Sequence, residues 1–102
     1  MTTTPVLEHG LLRIKAGEEA AFETALRAAI PLISGQPGFG GIRVSRCLER
    51  PETYLLLVEW DSLEAHTEGF RRSAEYGPWR EALHHFYDPM PTIEHFADLA
   101  LT

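Results

Sequence analysis

The chain has 102 residues, 44% of them hydrophobic, with fifteen acidic against nine basic side chains and a formal charge of −6. That length suits one domain over 1–102 with its core in 6–99, and the hydrophobic share is that of a folded protein, not a disordered one. The acidic balance argues against nucleic-acid binding, and no apolar run approaches the roughly 20 residues that span a bilayer.

The N-terminal residues carry neither a basic stretch nor an apolar run, so no secretory leader is predicted. Cys47 is the single cysteine. It has no internal partner for a disulfide, which fits a reducing, cytoplasmic setting.

Residues 6–14 alternate as a strand, with Val6, Glu8, Gly10, Leu12 and Ile14 on one face and Leu7, His9, Leu11 and Arg13 on the other. Ala16-Gly17 turns the chain. Residues 18–34 follow helical spacing, placing Phe22, Ala25, Leu26, Ala29, Ile30 and Ile33 on one side. Glu18 and Glu19 favour the helix start. Pro31 is expected to kink the helix, and Gly35 to end it before Pro37-Gly38.

Residues 39–50 and 53–60 read as a hairpin turning near Arg50-Pro51-Glu52. The second arm has faces Tyr54/Leu56/Val58/Trp60 and Thr53/Leu55/Leu57/Glu59. Both are largely apolar, whereas a strand covered on one side only should alternate. Asp61 and Ser62 suit a helix N-cap, after which Leu63, His66, Thr67 and Phe70 are predicted to share an inner face. A further helix is predicted over 74–86, with Tyr76, Trp79, Leu83 and Phe86 on one side. Asp88-Pro89-Met90-Pro91 forces extended chain, and residues 92–99 read as a closing strand.

The order β-α-β-β-α-β implies an α+β, ferredoxin-like fold: a four-stranded antiparallel sheet with helices on one face. The uncovered face would present leucines to water, so a second copy packed sheet to sheet, a homodimer, is expected.

The runs Pro37-Gly-Phe-Gly-Gly41, Tyr54-Leu-Leu-Leu-Val-Glu-Trp60, Ser62-Leu-Glu-Ala-His66, Phe70-Arg-Arg-Ser73, Trp79-Arg80 and Ile93-Glu-His-Phe96 together resemble the antibiotic biosynthesis monooxygenase domain family across residues 6–97. The resemblance implies a dimeric α+β barrel with a pocket between helices and sheet. It also implies oxygenation of quinols or polycyclic phenols without a cofactor. Carried onto this sequence, the histidine ending the Leu-Glu-Ala-His run is His66 and the helical aromatic before arginine is Trp79. The haem-degrading branch of the family fits worst: His9 stands where it has an asparagine, Gly69-Phe70 where it has a tryptophan, and no histidine falls near Trp79-Arg80.

Oxygenation of this kind requires the substrate to give electrons to O2, which an electron-rich phenol does once deprotonated. The site then needs a base, an oxyanion stabiliser and an apolar cavity. His66 is the first candidate base and His9 the alternative. Phe70, Tyr76, Trp79 and Phe86 are candidate walls for a planar ring. Arg43, Arg46 or Arg80 could polarise an oxyanion. Each also has a plain structural reading, as core histidine, packed aromatic or solvated arginine. No metal site is expected, because His84 and His85 are adjacent and diverge by about 100° on a helix. The rival function is a non-catalytic or stress-related module that holds a small apolar molecule. It needs the same cavity and no base.

Overall fold

The structure, a computed structural model, describes residues 4–101. Four strands, β1 (Val6–Arg13), β2 (Phe39–Arg46), β3 (Thr53–Trp60) and β4 (Glu94–Phe96), form one sheet in the order β2-β3-β1-β4. All neighbouring strands are antiparallel. Helices α1 (Glu19–Ser34) and α2 (Tyr76–Leu83) belong to the layer that covers one face of this sheet. The ferredoxin-like α+β expectation is met.

The covered face is decided by strand parity. Leu12 of β1, Ile14 just past its end, and Tyr54, Leu56, Val58 and Trp60 of β3 are buried under Phe22, Leu26, Ala29 and Ile33 of α1. Trp79 and Leu83 of α2 and Phe70 complete this core. Burying a side chain such as Leu56 or Val58 contributes about 1.5–3 kcal/mol each. On the opposite face β3 carries Leu55 and Leu57, opposite Leu11 and His9 of β1. Leu11 is 49% and Phe96 48% exposed, so the second face is apolar and open to solvent.

Several element ends differ from the sequence expectation. α1 runs through Pro31 as one helix. Its end is not a left-handed glycine: Gly35 has φ −85°, and Gln36 closes the last turn by donating its backbone N–H to Ile33 and its side-chain N–H to Leu32. β2 stops at Arg46, not 50, and its other end bulges between Phe39 and Gly41. β4 covers 94–96 instead of 92–99. Pro89 and Pro91 lack donors on one side, and beyond Phe96, which pairs with Leu7, the facing strand ends at Val6 after Pro5.

The predicted helix over 74–86 is α2 followed by a tighter turn over His84–Phe86. Pro78 sits in the first turn of α2, where backbone donors have no helical partner in any case. Ser62 caps the preceding segment as expected, its Oγ accepting from the Ala65 N–H at 3.1 Å. The chain then widens into a π turn over Ala65–Phe70, closed by the Arg71 N–H on the His66 carbonyl. The wider turn keeps His66 and Phe70 inside while Leu63 is 41% exposed, so Leu63 does not share their face.

Candidate active site

Glu8 lies on the covered face of β1, among Leu12 and Ile14, and is only 6% exposed. A carboxylate in that position needs partners. Trp60, at the end of β3, donates its indole N–H to Glu8 Oε1 at 2.9 Å. His66 brings Nε2 to 3.4 Å from the same oxygen. The imidazole of His66 lies flat on the Trp60 indole, with centroids 5.3 Å apart and planes 10° apart. His95 is the cross-strand partner of Glu8 in the β1–β4 ladder, and its Nε2 is 2.7 Å from His66 Nδ1. Strand pairing and the π turn thus bring Glu8, His66 and His95 into one chain of contacts.

The electrostatics of the cluster follow from burial. Loss of water holds His66 neutral, down to about 3, with the nearby Arg71 and His95 acting in the same direction. Burial pushes the Glu8 carboxyl up, offset in part by the Trp60 N–H and the Arg71 charge. His95 is lowered by burial and by Arg71. Burial therefore keeps His66 neutral and makes the Glu8 carboxylate more basic than an exposed one.

Beside the cluster lies a cavity of about 190 Å³ between the sheet and the helical layer. Glu8, His66 and Arg71 line one part of it. Leu12, Ile33, Leu56, Phe70, Tyr76 and Trp79 supply the walls, and Met90, Pro91 and Ile93 pass along it. Phe70 meets Tyr76 and Trp79 edge to face, at 5.3 and 5.7 Å between centroids. His84 and Tyr87 line another part. A larger groove of about 540 Å³, bordered by Leu7, Phe39, Glu59, Asp61, Phe96 and Asp98, is a more open surface feature with three carboxylates and no histidine. Of the two, only the smaller cavity joins aromatic walls to groups that can exchange a proton.

The sequence candidates separate on this geometry. His66, Phe70, Tyr76 and Trp79 come together around the cavity. Phe86 is buried against Phe22, at 5.8 Å between centroids, and does not line it. Arg43 and His9 both pair with Leu57, on the open face of the sheet, away from His66. There His9 packs edge to face on Phe96, and its Nδ1 is buried with no hydrogen-bond partner among the described residues. Glu8, Trp60, Arg71 and His95 are site residues that sequence reasoning did not single out. Glu8 carried a signal, being a charge in an otherwise apolar stripe of β1.

The sequence model of the antibiotic biosynthesis monooxygenase family matches residues 5–82, which include Glu8, Trp60, His66, Phe70, Arg71, Tyr76 and Trp79. The chain belongs to this family. It is 53% identical over 94 residues to the uncharacterized protein YczJ of Bacillus subtilis (strain 168), covering 92% of this chain and 99% of that one. Among solved structures, a Bordetella bronchiseptica protein named for the same family superposes with a TM-score of 0.89 at 28% identity, over 96% of this chain and 100% of that one. SnoaB, a cofactor-independent oxygenase from Streptomyces nogalater, superposes with a TM-score of 0.74 over 98% of this chain and 96% of its own, at 20% identity, which establishes a shared fold. No helix among the described residues is long and apolar enough to cross a membrane.

Proposed function

We propose that this family member is a monooxygenase that oxygenates a small electron-rich phenol or quinol with O2 and without a metal or flavin. The observation that carries the reading is the Glu8–His66 contact at 3.4 Å, buried beside a cavity walled by Phe70, Tyr76 and Trp79. An apolar cavity of about 150 Å³ is enough to take benzene, so about 190 Å³ suits one ring with small substituents. Single-ring substrates are therefore the first choice, ahead of the polycyclic phenols that the family resemblance implies.

In this mechanism the ring hydroxyl gives its proton to the Glu8–His66 pair. The phenolate passes one electron to O2, and the two radicals combine to form a C–O bond, leaving a ring hydroperoxide once its outer oxygen is protonated. Loss of the ring C–H proton and cleavage of the O–O bond expel water and leave the quinone, so a phenol plus O2 balances to a quinone plus H2O. The protonated pair returns its proton to the departing oxygen. Arg71, fixed in charge, favours the phenolate.

The open sheet face, with Leu11, Leu55, Leu57 and Phe96, supports a homodimer packed sheet to sheet, which leaves the cavity under the helices of each subunit. The lone thiol of Cys47 fits a reducing cytoplasm.

The test is oxygen uptake by metal-free protein against a ladder of single-ring, two-ring and three-ring phenols and quinols. Uptake strongest with single-ring compounds is expected. No uptake above buffer with any of them, alongside a ligand-induced rise in melting temperature, would favour the non-catalytic binding module instead.

A further inference from the structure

The contacts of His66 extend past the cavity. Its Nε2 faces Glu8 on β1, and its Nδ1 faces Nε2 of His95 on β4 at 2.7 Å. β4 is an edge strand of the sheet, and His95 is only half-buried. His95 does not line the cavity, and it lies beyond the residues matched by the family model. Both contacts of Glu8 fall on Oε1, so a proton on that oxygen faces His66 Nε2 while the oxygen still accepts from the Trp60 N–H.

We infer that His95 links the site to solvent: a proton held on the Glu8 carboxyl crosses the imidazole of His66 and exchanges with water through His95 at the sheet edge. The inference rests on the proposed reading for the origin of that proton, but the conduit is a property of the resting protein.

The proton count closes. With Glu8 protonated, its O–H donates to His66 Nε2, His66 Nδ1–H donates to His95 Nε2, and His95 carries its own proton on Nδ1. One concerted shift moves the Glu8 proton to His66 Nε2, the His66 Nδ1 proton to His95 Nε2, and the His95 Nδ1 proton to water. Glu8 is then a carboxylate again, with His66 in the Nε2–H form. Uptake runs the same steps backwards. An imidazole is suited to this because it accepts on one nitrogen while donating from the other. The charged and titratable groups facing the two rings are Glu8 from β1, Arg71 from the end of the π turn, and each other.

The stack on Trp60, with planes 10° apart, limits rotation of the His66 ring, so its two nitrogens stay aimed at different partners. His95 is thereby a proton-transfer residue acting through His66, not a group that touches substrate.

The experiment is 15N NMR of the histidine rings across pH 5–9, in wild type and in His95→Gln, whose amide can still donate to His66 Nδ1 but cannot pass a proton on. In wild type the His66 nitrogens should exchange protonated and unprotonated character, and the His95 nitrogens with them, as the cluster loses its proton. In His95→Gln, His66 should keep one tautomer throughout. A wild-type His66 that holds one tautomer across the whole pH range overturns the conduit, and this arm needs no variant. Equal His66 behaviour in the two proteins overturns it as well. Because no turnover is involved, absence of oxygen uptake would remove the monooxygenase reading without deciding this one.

Discussion

Trp60 donates its indole N–H to Glu8 Oε1 at 2.9 Å from across the sheet, so the last residue of β3 holds the one carboxylate on the covered face of β1. The bond answers a desolvation problem, since burial alone disfavours the Glu8 charge. Trp60→Phe keeps an aromatic ring under His66 and removes the donor. It is expected to cost about 1–3 kcal/mol beyond any packing loss, because a buried acceptor is left unpaired. Urea denaturation measures this. The same substitution in a Glu8→Leu background, which has no acceptor, should cost less, and equal costs in both backgrounds would show that the bond contributes nothing.

Stability should depend on pH through His66. Folding lowers this imidazole from an ordinary 6.5 to about 3. Below pH 6.5 the unfolded chain takes up a proton that the folded chain refuses. The contribution of His66 is therefore complete above 6.5 and drains away as pH falls towards 3, by up to about 1.4 kcal/mol per unit. Glu8 acts in the opposite sense: its raised value favours the fold below 4.5 and the benefit is lost as pH rises through its folded value. Between pH 7.5 and 5.5 the stability gap between wild type and His66→Gln is expected to shift by about 1 kcal/mol against wild type. His84 and His95, also lowered, remain in both proteins and cancel in the comparison. Parallel pH curves in urea melts would contradict the assignment.

A charge placed on the open face should separate the subunits. Leu57 lies opposite His9 on β1 and Arg43 on β2, at the middle of the uncovered sheet. Leu57→Lys puts an ammonium where a sheet-to-sheet dimer would exclude water, and should weaken that dimer by on the order of 100-fold or more. Sedimentation velocity is the measurement. Wild type running as a single chain at micromolar concentration would remove the dimer altogether.

Two glycines with the same backbone should respond differently to alanine. Gly17 and Gly38 both have φ +84°, a conformation that costs an L-residue about 1–2 kcal/mol. At Gly17 nothing lies within 4 Å of an added Cβ, so that strain is the whole effect. At Gly38 the Cβ would come within 2.5 Å of Asp61 Oδ1 and 2.7 Å of the Ala65 Cβ. Those residues lead into the π turn that carries His66. Gly38→Ala should therefore melt several degrees below Gly17→Ala and perturb the His66 ring signals, which Gly17→Ala should leave in place.

The fold was legible because its determinants are periodic: two strand-like faces on 53–60, a helical stripe on 18–34, and a cap at Ser62. The site was legible only in part. Pleating puts Glu8 and His9 on opposite faces of β1, but apolar residues occur on both, Leu12 and Ile14 with Glu8, Leu7 and Leu11 with His9. The strand's own pattern therefore does not say which face turns inward, so His9 was named a candidate and Glu8 was passed over. The choice is made by tertiary cover from α1. The π turn has no distinctive residue pattern, so the burial of His66 and Phe70 without Leu63 was invisible. His95 sat inside a run that marks the family resemblance, yet its role depends on a three-residue pairing of β4 with β1 that only the folded register provides.

The central claim is that the buried Glu8–His66 pair takes a proton from a ring hydroxyl in the cavity. The most direct measurement is an anaerobic absorption titration of the protein with a single-ring phenol whose phenolate absorbs at longer wavelength. Bound wild type should display the phenolate band at a pH where the free phenol is neutral, and Glu8→Gln and His66→Ala should lose it while still binding the ring. A bound phenol that stays neutral in wild type, or a phenolate band undiminished in both variants, would contradict the account.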